Sequence, residues 1–134
     1  MTPRTFYWLR ETDDALPNWY DQLGSFDQQI ILGHKDRIPN IEDYIVSAAV
    51  DCMSFNTLIE AHRISHIDLI LIDAEGYDFQ ILQQIDFSRF APELVIYEHI
   101  HLPADDKQRA RALLTERGYV IFNGDMNDVA TSFR

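Results

Sequence analysis

Between residue 48 and residue 133 the hydrophobic positions change their spacing repeatedly, and each change marks an element. Residues 67–73 are almost continuously apolar and branched: Ile67, Leu69, Ile70, Leu71 and Ile72, with Asp68 alone intervening before Asp73. Apolar side chains on both faces of an extended run predict a central strand, buried on both sides in a parallel sheet. The run stops at Asp73-Ala74-Glu75-Gly76, and residues 77–85 then take helical spacing. Pro92 precedes a second short apolar run, 94–98, read as another buried strand. Asp105 and Asp106 open a predicted helix through Arg117, with acid at its positive end and base at its negative end, and Gly118 in the position that closes helices. Residues 119–123 predict a strand, Gly124-Asp125 a turn, and 129–133 a last antiparallel strand.

Upstream, residues 48–53 read as a strand, and Ser54 as the N-cap of a helix over 55–63. The order βαβαβαββ predicts an α/β fold with a mostly parallel sheet joined by right-handed crossovers. The first third is less regular. Phe6 to Leu9 predicts a short strand, and Pro17 suits a helix start. Trp19, Leu23, Phe26, Ile30 and Ile31 follow near helical spacing as far as His34, with Gly24-Ser25 able to divide the stretch. Ile38-Pro39-Asn40 reads as a turn and 41–46 as a single helical turn.

A length of 134 residues and a hydrophobic content of 46% fit a single domain, 1–134, with a real core. The formal net charge of -11 argues against nucleic acid and against an anionic membrane surface as partners, since both need clustered Lys and Arg. No apolar run reaches the roughly 18 residues of a membrane span. The segment Phe6-Tyr7-Trp8-Leu9 is too short for a signal-peptide core. Cys52 is the one cysteine, so no internal disulfide forms, and a cytoplasmic setting is expected.

Two predicted strand ends carry the chemistry. One presents Asp73 and Glu75, the other Glu98, His99 and His101. Neighbouring strands lie about 4.8 Å apart, so Asp73 and Glu98 on adjacent strands would face one cleft. Carboxylates and imidazoles so placed serve as general bases or hold a divalent cation. Each also has a plainer role: Asp73 as a cap for the following helix, Glu75 as a first-turn carboxylate on its dipole. Glu98 at the end of a buried strand requires a partner or a function, because an unpaired buried carboxylate is costly. His99 and His101 alternate in an extended segment, so only one of them joins the cleft. His34, His62 and His66 show no partner pattern. There is no zinc-type Cys or His spacing, no Gly-x-Ser-x-Gly elbow and no Gly-x-x-x-x-Gly-Lys loop.

The strand Leu69-Ile70-Leu71-Ile72-Asp73, the turn Ala74-Glu75-Gly76-Tyr77-Asp78 and the strand Leu94-Val95-Ile96-Tyr97-Glu98-His99 together resemble the C-terminal half of FkbM-type methyltransferases. That family carries an Ile-Asp-x-Glu-Gly turn, a helix, and a strand ending in Glu-His or a similar pair. The stretch from Pro17 to Phe26, the Thr57-Leu58-Ile59 helix start, Gly118-Tyr119 and the tail from Asn127 to Ala130 are similar as well. The resemblance runs from about Phe6 to about Ala130. It implies a Rossmann-like sheet and an S-adenosylmethionine-dependent methyl transfer to the oxygen of a small molecule or sugar. By the same resemblance, Asp73 and Ala74 border the cofactor's methionine end, and Glu75 and Glu98 border the acceptor, with Glu98 or His99 as base. The site is read as metal-free; the ligands a magnesium ion would otherwise use are Asp73, Glu75 and Glu98, with His101 as an optional nitrogen ligand. Such an ion demands side-chain oxygens of Asp73 and Glu98 within about 6 Å of each other. The five glycines, Gly24, Gly33, Gly76, Gly118 and Gly124, form no Gly-x-Gly cofactor loop. The expected domain is therefore truncated on its N-terminal side. It is a fragment, a reduced descendant, or a chain completed by a partner or a second copy. The alternative is a noncatalytic α/β interaction module derived from a methyltransferase.

Overall fold

A computed structural model of the chain describes residues 2–133, which divide into two units, Met1–Cys52 and Met53–Arg134. In the first unit β1 (Thr2–Leu9) is followed by a 3-10 turn at Tyr20–Gln22, β2 (Gly24–Ser25), α1 (Gln28–Leu32), a 3-10 turn at Ile41–Asp43 and β3 (Ile45–Cys52). The helix expected across 18–34 is thus divided at Gly24-Ser25, which pairs with β1 as a short strand. Asp27 caps α1 by accepting the Gln29 N–H at 2.9 Å. The sheet is antiparallel with order β2-β1-β3, and β1 pairs with β3 from Thr2 opposite Cys52 to Leu9 opposite Ile45. Its core is Leu9, Leu23, Ile31, Ile38 and Ile41. The strand predicted at 48–53 therefore belongs to an antiparallel sheet of its own unit, not to the parallel sheet expected. Its apolar residues told that it was extended; they held no information on which strand would accept its hydrogen bonds.

The second unit runs α2 (Phe55–Ala61), β4 (Leu69–Ile72), α3 (Asp78–Leu82), β5 (Leu94–Glu98), α4 (Ala104–Glu116), β6 (Val120–Asn123) and β7 (Asn127–Thr131). The Ser54 hydroxyl accepts the Thr57 N–H at 3.1 Å, the expected N-cap of α2. Gly118, at φ 86°, follows α4 in the left-handed conformation that a side chain would oppose. The sheet order is β4-β5-β7-β6. Only β4 and β5 are a parallel pair; β7 is antiparallel to both β5 and β6. The fold is α/β as expected, but the sheet is mixed rather than mostly parallel. The reason is the short connection at Gly124: its N–H donates to the Asn127 carbonyl at 2.9 Å, and so short a link permits only an antiparallel return.

The core of this unit gathers Ile70, Ile72, Val95, Tyr97 and Ala130 from the sheet with Phe79, Leu82, Ala110 and Leu114 from α3 and α4. β4 is an edge strand, which corrects the central position read from its sequence. Ile70 and Ile72 are buried, whereas Leu69 and Leu71 are 50% and 65% exposed. Leu71 lies in register with Ile96, Val129 and Phe122 across the sheet, so one apolar row occupies its outer face. An unbroken apolar run states that both faces tolerate burial; it does not state that both are covered. Among the described residues, no helix is long and apolar enough to cross a membrane.

Candidate active site at the carboxyl ends of β4 and β5

Ile72 and Tyr97 are register partners on the parallel strands, so Asp73 and Glu98 leave the sheet side by side. The chain then reverses tightly. Glu75 and Gly76 both take positive φ, 46° and 89°, and the Tyr77 N–H closes the turn on the Ala74 carbonyl at 3.1 Å. Only glycine adopts φ 89° without Cβ strain, and it is this reversal that sends the Glu75 carboxylate back toward β5. Gly76→Ala is expected to cost about 1–2 kcal/mol of stability, read as a lower urea midpoint at unchanged slope.

The result is a concentration of acid. One carboxylate oxygen each from Asp73, Glu75 and Glu98 lies within 4.8 Å of the others. Asp73 is exposed at the mouth, Glu75 is half-buried, and Glu98 is buried with 6% of its surface accessible. His101 Nε2 stands 3.3 Å from Glu75 Oε2 and 4.0 Å from Glu98 Oε2. Asp78, fully buried at the start of α3, accepts the Glu98 N–H on Oδ1 at 3.1 Å. Burial and then the charge of Glu75 push the Glu98 carboxyl up to about 7, with His101 pulling the other way. Glu75 is also raised, by burial and then by Asp73 and Asp78. Asp78 is raised by burial in spite of the backbone N–H groups that favour its charged form.

The two candidate histidines part company. His99 Nε2 lies 2.9 Å from the Gly124 carbonyl and 3.6 Å from Asp128 Oδ1. A carbonyl only accepts, so Nε2 carries the proton, and the buried Nδ1 has no hydrogen-bond partner. His101 is the histidine at the carboxylates. Asp128 is itself fully buried and accepts from the Tyr97 hydroxyl at 2.8 Å, Arg111 Nε at 2.7 Å and Asn123 Nδ2 at 2.9 Å. The structure thus brings together Asp73, Glu75, Glu98 and His101, with Ala74 in the turn between the first two, and places His99 in the Asp128 network. Asp78 was missed in the sequence, although an acid three residues beyond Glu75, on the first turn of the next helix, was the available signal.

Four acids, with the His101 imidazole beside them, can accept protons or attract a cation, and they disfavour an anionic ligand. The methyltransferase FkbM domain model matches residues 10–121 of this sequence. The chain belongs to the FkbM methyltransferase domain family. No curated protein and no solved structure matches it. In this FkbM domain the matched residues include the whole carboxylate cluster, from Asp73 to His101, and α4 with Arg111, while β7 follows the matched region.

Proposed function

We propose that this FkbM-domain chain forms the acceptor side of an S-adenosylmethionine-dependent methyltransferase acting on a hydroxyl group of a small molecule or sugar in the cytoplasm. The observation that carries the reading is the convergence of Asp73, Glu75 and Glu98 at the carboxyl ends of two neighbouring parallel strands. Open α/β sheets bind their ligands in the crevice outside those ends. The β4-α3-β5 unit, with its parallel strands, is the part that a Rossmann-like sheet would share. The family's methyl donor, when bound, supplies an electrophilic methyl group. The fit to that donor is one-sided: Asp73 and Ala74 offer one wall, and the widely spaced glycines provide no loop on which a backbone approaches a nucleoside. The chemistry assigned to this chain is therefore confined to the acceptor. Carboxylate oxygens of Glu75 and Glu98 accept the hydrogen bond of the acceptor hydroxyl, orient it, and take its proton.

Calorimetric titration of S-adenosylmethionine into the chain tests the reading. A single wall should bind weakly, with Kd about 0.1–1 mM, or roughly 5.5–4.1 kcal/mol, and Asp73→Ala should remove most of that heat. No saturable heat at several millimolar from folded protein overturns it.

The exposed Leu69 and Leu71 on an edge strand favour a second reading, a noncatalytic interaction module, because an open strand edge with apolar side chains recruits other chains. Light scattering separates the two. A monomer at every concentration removes the module reading, whereas mass rising with concentration, reversed by Leu71→Glu, supports it.

A further inference from the structure

We propose that Asp73, Glu75 and Glu98 form a divalent-cation site of the magnesium or manganese type, with His101 at its margin. The site goes beyond the methyltransferase reading and stands on its own geometry. On an octahedral ion with ligand distances near 2.1 Å, oxygens sit about 3.0 Å apart when adjacent and about 4.2 Å apart when opposed. The three carboxylate oxygens lie within 4.8 Å of one another, so small side-chain rotations bring all of them onto one ion. They also satisfy the demand that Asp73 and Glu98 be within sharing distance.

A second observation points to a ligand. Glu98 is more than nine-tenths buried, one of its carboxylate oxygens lies in the cluster, and its Oε2 has no hydrogen-bond partner. An ionised carboxylate oxygen is stable in such a buried place only when a donor or a cation meets it. His101 Nε2, at 4.0 Å, is beyond hydrogen-bond reach of it. Next to it Asp78 is fully buried, and its Oδ2 is likewise without a hydrogen-bond partner. Asp78 is occupied through Oδ1 with the Glu98 N–H, so it holds the end of β5 and adds negative charge behind the ligands. Arg111 of this unit is committed to Asp128.

The donor set selects the ion. Three carboxylates are hard oxygen ligands and suit magnesium, manganese or calcium, while zinc and copper sites draw on thiolate and several imidazoles. Asp73 is exposed and the other two ligands lie behind it, which provides the entry path and leaves room for the waters that magnesium and manganese retain. Such an ion would lower the pKa of a hydroxyl bound beside it, in the place assigned above to the acceptor.

The probe is Mn2+ alone, titrated into the full chain without S-adenosylmethionine and followed by the electron paramagnetic resonance signal of the free ion, with thermal melting alongside. One tight class of site is expected, with a rise in melting midpoint that grows with ion concentration. Glu98→Gln keeps the shape of the side chain and should weaken Mn2+ binding at least about tenfold, that is by about 1.4 kcal/mol. Asp68→Asn, which alters an exposed acid paired with His66, should leave it within about twofold. Absence of saturable binding at about 5 mM, or equal weakening by Asp68→Asn and Glu98→Gln, overturns the site. Because no methyl donor is present, this outcome is independent of the calorimetric test of the function.

Discussion

Asp128→Ala is expected to lower the stability of the folded chain by about 3 kcal/mol, enough to remove much of the margin of a small domain. Asp128 is fully buried and accepts four hydrogen bonds: from Tyr97 Oη at 2.8 Å, from Arg111 Nε at 2.7 Å and a terminal Arg111 nitrogen at 3.1 Å, and from Asn123 Nδ2 at 2.9 Å. Alanine leaves the Tyr97 hydroxyl buried without an acceptor and the Arg111 guanidinium without its counter-ion. Arg111 is 38% exposed in its side chain and regains water, which keeps the loss below that of a wholly enclosed pair. The network joins β5, β6, β7 and α4, so the inserted strand β7 loses its side-chain anchor as well. Tyr97→Phe removes one bond of the network and should cost about 1 kcal/mol. Urea unfolding at neutral pH measures both.

The same residue sets an acid limit. Burial would raise the Asp128 carboxyl, but Arg111, Tyr97 and Asn123 together hold it below the usual carboxylate value. A folded-state pKa below the unfolded one means that the stabilisation is complete above the unfolded value, about 3.9, and is lost as pH falls through the folded value. The gap between the wild-type chain and Asp128→Ala should therefore be widest near neutral pH and narrow steadily below about pH 4. A gap of constant size down to pH 2 would mean that the charge of Asp128 is not what matters.

Leu82→Ala should cost about 3 kcal/mol, within the range for emptying a fully buried leucine site. Leu82 is wholly inaccessible, and with Phe79 it supplies the buried apolar side chains of α3, a helix of only five residues. A helix that short has no stability of its own and persists through packing. The turn carrying Glu75 and Gly76 enters this helix directly, and Asp78 at its start holds the end of β5, so the damage should extend to the carboxylate cluster. Leu71→Ala is the matched control: on β4 but 65% exposed, it should change stability by no more than about 0.5 kcal/mol. Equal losses at Leu82 and Leu71 would contradict the uncovered outer face of β4.

Local patterns in the sequence were enough to determine the elements that depend on short-range interactions. The strand over 94–98, the helix closed by Gly118, the Ser54 cap and the break at Gly24-Ser25 all follow from side-chain periodicity or from one residue's backbone preference. The adjacency of Asp73 and Glu98 was legible too, because two successive strands joined by a helix run parallel and release their following residues at the same end. Partnership was not legible. The strand ending at Cys52 chose β1, and β7 entered between β5 and β6, through backbone hydrogen bonds that any extended segment offers equally. Cover was not legible either: Leu69 and Leu71 have the same chemistry as Ile70 and Ile72, and only the packing of α3 and α4 against one face separates them. Beyond the end of β5 the alternation of side chains ceases, so which histidine met the carboxylates was decided by the path of the chain after Glu98. The four-donor cage around Asp128 and the burial of Asp78 arose in the same way, from residues distant in sequence brought within hydrogen-bond reach, where only tertiary structure sets the distances.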